Sequence, residues 1–278
     1  MTEGRIADTG RQRLAALFAT VKAENRSALL PYLTAGIPTP EQSVELFVAM
    51  AEAGADGFEV GIPYADPLMD GPVIMRAGEN ALRNGVTVDV ALNVAKEVVE
   101  RTAKPVLMMT YVNPVLRVGI DGFFEKVAST GASGVIIADL PVDEAAPYLQ
   151  AAERTQLGMA LFAAPTTDAE RLASVIDAAP SFVYAVAEVG VTGERSSNSK
   201  NTGALASRIR GLSDVPIVFG VGISTPEHAA HAAQDGDGVI VGTAIVRRVL
   251  EAQSHDEAKE SLAQAVADLA VAVRRRTR

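Results

Sequence analysis

Short apolar runs alternate along the chain with longer stretches in which apolar residues recur every three to four positions. The short runs, rich in β-branched and aromatic residues, predict strands, and the longer stretches predict amphipathic helices. Eight runs qualify as strands: Leu29 to Leu33, Gly57 to Ile62, Val106 to Tyr111, Gly134 to Ala138, Gly158 to Phe162, Phe182 to Ala187, Pro216 to Val221 and Gly238 to Val241. A helical lead-in covers Thr9 to Glu24, and helical periodicity recurs at Pro40 to Ala53, Asp121 to Thr130, Asp143 to Arg154, Asp168 to Ala178 and Pro226 to Gln234. Thr39, Thr167 and Thr225 stand where a capping side chain would satisfy the first free N–H groups of three of these helices.

Strands separated by helices run parallel and are covered on both faces, and eight of them close naturally into a barrel. The expected fold class is α/β, a single (β/α)8 TIM barrel domain spanning residues 1–278, with residues 1–27 forming an extra N-terminal helical lead-in. The competing topology is an open doubly wound sheet. No GxGxxG follows the first strand, where a dinucleotide fold would carry it; the near match Gly220-Val221-Gly222 lies at strand seven, where barrels build phosphate sites.

Composition narrows the class of function. Apolar residues make up 48% of the chain and charged residues 21%, the balance of a globular protein with a large core. The absence of cysteine excludes disulfides, thiolate catalysis and cysteine metal sites. A net charge of -9 opposes nucleic-acid or anionic-membrane binding, and the basic tail Arg274, Arg275, Arg276 and Arg278 is too short to reverse it. No run approaches the roughly 18 uninterrupted apolar residues of a membrane span, and MTEGRIADTGRQR has no apolar signal core. A cytoplasmic enzyme fits these properties.

Candidate chemistry concentrates in FEVGIPYADPLMD, residues 58–70. Side chains alternate along a strand, so Phe58, Val60 and Ile62 face the helices while Glu59 and Gly61 face the barrel interior. Burial there raises a carboxyl pKa and suits Glu59 to proton transfer, and Gly61 leaves room for a ligand. The alternative for Glu59 is a buried ion pair. Asp66 and Asp70 lie in the following loop, at the end where barrels collect catalytic groups, or else form an Asx turn or cap the helix after Pro72.

Three late glycine turns follow strands six, seven and eight, at Gly193, in GVGIST and in VGTAI; their N–H groups can converge on a phosphate. The loop EVGVTGERSSNSKN has the length of a mobile lid or of an ordinary surface loop. Arg195, Lys200, Arg247 and Arg248 are candidate sources of positive charge. His228 and His231, three apart on a helix, lack companions for a metal site, so no metal is expected. Tyr32, Tyr111 and Tyr184 fall on predicted strands, either as packing groups or as contacts to an aromatic ligand.

With these residues placed, FEVGIPYADPLMDGPVI closely resembles the signature LELGIPFSDPxADGPxI of the tryptophan synthase alpha chain family. The resemblance continues through LLPYLTAGIP (29–38), MTYVNPV (109–115), IIADLPVDE (136–144), VGVTGERSS (189–197), FGVGIS (219–224) and GVIVGTAIV (238–246). It implies a TIM barrel that splits indole-3-glycerol phosphate into indole and D-glyceraldehyde 3-phosphate. It further implies that indole passes to a beta chain in an alpha2-beta2 heterotetramer, with pyridoxal phosphate held by that partner and no cofactor in this chain.

By resemblance, Glu59 is the general acid and base and Asp70 holds the indole N–H. Tyr184 lies beside the reacting side chain, and Tyr32, Met109, Tyr111 and Ile136 form the indole pocket. Gly193, Gly222, Gly242 and Thr243 take the phosphate, Thr192 belongs to the closing lid, and Asp66, Asn113 and Pro114 meet the beta chain. Tyr32, Ile37, Tyr64-Ala65 and Thr243 depart from the common pattern, Ile37 standing where the TAGDP form has aspartate, and none of these departures falls on Glu59 or Asp70.

Two rival readings remain at this level. Other phosphate-binding barrels share the late glycine turns but usually need a catalytic lysine, and no predicted strand carries one. A catalytically silent regulatory barrel has no use for the intact Glu59 and Asp70.

Overall fold

The computed structural model describes residues 8–178, 181–186 and 199–274. In chain order the elements begin with α1 (Gly10–Ala23), β1 (Ala28–Thr34), α2 (Pro40–Glu52), β2 (Phe58–Gly61), α3 (Pro72–Arg83), α4 (Val88–Thr102) and β3 (Val106–Thr110). Next come α5 (Val112–Val118), α6 (Ile120–Ser129), β4 (Gly134–Ile137), α7 (Ala146–Arg154), β5 (Gly158–Ala163), α8 (Ala169–Ala178) and β6 (Phe182–Val186). The rest are α9 (Ser199–Arg210), β7 (Ile217–Gly220), α10 (Pro226–Asp235), β8 (Gly238–Val241), α11 (Thr243–Glu251) and α12 (His255–Ala272). All eight strands pair in parallel, each with its sequence neighbours, and β1 pairs with β8 to close the barrel. No helix among the described residues is long and apolar enough to cross a membrane.

Local chemistry sets the helix starts. Thr39 and Thr225 accept the N–H groups of Gln42 and His228 at 3.2 and 3.3 Å, each followed by proline at the first helical turn. The expected cap at Thr167 is instead supplied by Asp168, whose Oδ1 accepts the Arg171 N–H at 2.8 Å; Thr167 turns back to the Ala164 N–H. The helix expected from Asp143 starts later, at Ala146, after a single 3₁₀ turn over Val142–Glu144. Pro147 has no N–H to donate, so it is tolerated only in the first turn of a helix.

The strand register carries the inner face around the barrel. Tyr32 pairs with Glu59, Glu59 with Leu107, Gly61 with Met109, and Met109 with Ile136. Phe58 and Val60 point outward as expected, and the Phe58 ring meets Phe47 of α2 edge-on at 5.2 Å. α1 closes the end of the barrel where the strands begin. Its Leu14 and Phe18 are buried against the inward positions Gly158, Gly238 and Phe182; a Cβ on Gly158 would come within 2.5 Å of Leu14 Cδ1. Arg13 fastens the helix there by donating to Ser133 Oγ at 3.2 Å and to the Ala132 carbonyl at 3.1 Å.

Candidate active site

At the opposite end, where the strands finish, lies a cavity. Its polar walls are Glu59 from β2, Asp70 from the loop after β2, Tyr32, Tyr184 and Thr243, and its apolar walls include Met109, Ile74, Ile223 and Ile240. No lysine, arginine or histidine is among the described residues that line it. Among the described lining residues the two carboxylates therefore have no countercharge, and they are 3% and 9% exposed.

That environment sets their ionisation. Burial first, and then the charge of Asp70, pushes Glu59 up to about 8. Burial raises Asp70 to about 6, against the opposing effect of a hydrogen bond from the Tyr111 hydroxyl. Near neutral pH one carboxyl holds a proton while its neighbour is ionised, so the site can give a proton at one point and bind a cationic N–H at another.

Asp70 does not cap α3: the N-cap is Gly71, with no side-chain bond, and Pro72 begins the helix. The loop that carries Asp70 is held from below. The Met69 N–H donates to Tyr111 Oη at 3.3 Å, Asn113 Nδ2 donates to Tyr64 Oη at 2.9 Å, and the Tyr64 and Tyr111 rings lie 5.3 Å apart. Both anchors belong to the junction of β3 and α5, where Asp139 Oδ1 accepts the Val112 N–H at 2.8 Å.

Gly61 has another use than the one expected from the sequence. A Cβ there would fall 2.2 Å from Tyr32 Oη, so the space beside Glu59 is filled by the Tyr32 phenol, which also meets Thr34 Oγ1 at 3.1 Å. Gly220 accommodates Tyr184 in the same way, at 2.0 Å from its Oη. The Tyr184 ring is stacked on Phe162 with centroids 4.6 Å apart.

On the wall formed by β7 and β8, Val221 and Gly222 adopt left-handed backbone conformations, with φ of 63° and 82°. Gly222, Gly242 and Thr243 line the cavity there, and Gly242 is the N-cap of α11. A helix N-terminus pointing at a cavity favours an anion such as a phosphoryl group.

Of the residues singled out in the sequence, Glu59, Asp70, Tyr32, Met109, Tyr184, Gly222, Gly242 and Thr243 line this one cavity. Tyr111 and Ile136 do not: Tyr111 lies behind Asp70, and Ile136 is buried beside Met109 on the inner face of the barrel. Thr192, Gly193 and Arg195, together with the side chain of Lys200, fall outside the described residues. Arg248 is not among the described residues that line the cavity; its Nη1 donates to the Ala244 carbonyl of its own helix at 2.9 Å. Asp66 and Asn113 are exposed, whereas Pro114 is buried within α5. Ile74, Val221, Ile223 and Ile240 were missed; alternation from Gly238 marks Ile240 as inward, but nothing in the sequence marks Ile74.

Known proteins resemble this chain over most of its length. The family model described as tryptophan synthase alpha chain matches residues 18–274. The chain is 43% identical over 237 residues to the tryptophan synthase alpha chain of Solibacter usitatus, covering 85% of this chain and 89% of that protein. With the alpha chain of Streptomyces avermitilis it shares 41% identity over 263 residues, 95% of each. Among solved structures it is similar to Mycobacterium tuberculosis tryptophan synthase, with a TM-score of 0.86, 40% identity and coverage of 94% of this chain and 98% of that one.

Proposed function

The chain belongs to the tryptophan synthase alpha chain family, the subunit that cleaves indole-3-glycerol phosphate in tryptophan biosynthesis, and from that premise we propose that Glu59 and Asp70 carry the cleavage. The observation that supports this assignment is the burial of both carboxyls on one cavity, with Gly222, Gly242 and Thr243 on a neighbouring wall.

The proposed reaction is a retro-aldol cleavage whose protons balance within the site. Protonated Glu59 delivers its proton to the indole carbon that bears the glycerol side chain. Ionised Asp70 accepts a hydrogen bond from the ring N–H, which strengthens as positive charge develops on the ring. Glu59, now a carboxylate, removes the proton of the adjacent side-chain hydroxyl. The O–H electron pair becomes the aldehyde C=O, the carbon-carbon pair returns to the ring, and indole and glyceraldehyde 3-phosphate separate. Glu59 ends protonated, as it began.

Tyr32, Met109 and Tyr184 are assigned to the walls around the indole and the reacting side chain, with Tyr111 and Ile136 supporting them from behind. Gly222, Gly242 and Thr243 are assigned to the phosphate, together with Gly193 and the lid residue Thr192. Residues 1–278 are read as one barrel domain, acting in the cytoplasm.

Indole is read as passing to a beta chain in an alpha2-beta2 assembly, with pyridoxal phosphate bound by that partner. The surface near Asp66 and Asn113 supports docking: Leu68 and Met69 of the loop and Leu116 of α5 are 72%, 44% and 53% exposed. The test is indole formation from indole-3-glycerol phosphate by the purified chain, with and without a beta chain. Slow cleavage alone, acceleration by the partner and near-complete loss in Glu59→Gln are expected; full activity in that variant overturns the assignment.

A further inference from the structure

The motif IIADLPVDE contains three carboxylates without a role in the cleavage, Asp139, Asp143 and Glu144, and the first of them touches the frame of the site. Asp139 lies just beyond β4, its side chain exposed, yet its Oδ1 accepts the Val112 N–H at 2.8 Å. Val112 is the first residue of α5, and its N-cap, Tyr111, makes no capping bond of its own. The segment just after the neighbouring strand β4 thus supplies the cap that α5 lacks. The capped junction carries both supports of the Asp70 loop: Tyr111 Oη receives the Met69 N–H at 3.3 Å, and Asn113 reaches Tyr64 Oη at 2.9 Å.

We propose that Asp139 is a positioning residue for the cleavage, fixing the start of α5 so that Tyr111 and Asn113 hold the loop bearing Asp70 against the cavity. The inference rests on the reading of Asp70 under Proposed function. Its physical basis is lever-like. α5 is only seven residues long, too short to be stable by its own propensity, so loss of one capping bond at its first turn is felt by the residues at that turn. Tyr111 stands one residue before the capped N–H and Asn113 one residue after it.

The groups that bear on Asp70 and Tyr111 define a readout that a merely structural role would not move. Asp70 faces Tyr111, Glu59, Tyr32 and Tyr184, and the Tyr111 hydrogen bond holds it lower than burial alone would. Asp139 itself faces Tyr111 and Tyr148. If Tyr111 drifts, Asp70 loses that hydrogen bond and titrates at higher pH.

The experiment measures kcat/KM for indole formation against pH in wild type, Asp139→Ala, Asp139→Asn, Tyr111→Phe and the double variant D139A/Y111F. D139A is expected to lose about tenfold in kcat/KM and to move its acid limb upward, toward that of Y111F. D139N keeps an acceptor oxygen without the charge and is expected to stay close to wild type, and the double variant to fall no further than Y111F alone. An unmoved acid limb in D139A overturns the proposal, as does a D139N variant as impaired as D139A; the D139N arm decides the matter even if D139A folds poorly. A wild-type chain that forms no indole overturns the functional reading instead, so the two failures are separable.

Discussion

The Tyr32 phenol occupies the space that a side chain at Gly61 would need: a Cβ at Gly61 would lie 2.2 Å from Tyr32 Oη and 2.6 Å from Cζ. Gly61→Ala therefore drives the ring toward the cavity. Stability is expected to fall by about 1–3 kcal/mol, the range for overpacking a filled interior, and kcat/KM to fall with it. Gly122→Ala is the control, since its Cβ would meet only Val118 Cγ1 at 3.8 Å on a helix. That variant should keep full activity and match or exceed wild type in urea denaturation.

Glu59 is expected to weaken the fold while enabling the chemistry. Its folded pKa of about 8 lies above its ordinary value of 4.5. Below the lower value both states hold the proton and nothing is lost. Between the two values the unfolded chain ionises while the folded chain does not, so stability falls as pH rises, reaching a loss on the order of 4 kcal/mol. Glu59→Gln should be more stable than wild type by a margin that grows across this window and levels off above it. Urea midpoints at both ends would check this, and a margin independent of pH would contradict it.

The same two carboxyls predict the pH dependence of turnover. The active form has Asp70 ionised and Glu59 protonated, so kcat/KM should be bell-shaped with limbs at about 6 and about 8. Asp70→Asn should remove the acid limb and lower the plateau by about a hundredfold. A profile flat from pH 5 to 9, roughly the span of interest, would contradict the assignment.

The phosphate wall separates contact from conformation. Thr243→Ala removes a hydroxyl where α11 begins and should raise KM by about three- to tenfold with less change in kcat. No described residue lies within 4 Å of a Cβ placed on Gly222, so Gly222→Ala is expected to act through its φ of 82°, costing about 1 kcal/mol of backbone strain. Inorganic phosphate should inhibit competitively, and more weakly in both variants. Inhibition unchanged in both would remove the phosphate from this wall.

Much of the barrel was legible because its signals are local. Alternation placed Glu59 inward and Phe58 outward, β8 begins and ends at the expected residues, and Thr39 and Thr225 cap as composition suggested. What escaped depended on neighbours distant in sequence. Thr167 lost its cap to Asp168 within a turn whose geometry composition does not specify. The room beside Gly61 was filled from another strand, and Ile74 reaches the cavity only because α3 packs over it. Asp139 carried no spacing that points to Val112, since a cap supplied from just after an adjacent strand leaves no local pattern.

The seal made by α1 has one more effect. With Leu14 and Phe18 stoppering the base, the described barrel is a blind cup: what enters over the rim must leave over the rim. Arrival and departure therefore share the rim end of the barrel, and any protein seated there becomes the first surface a departing molecule meets.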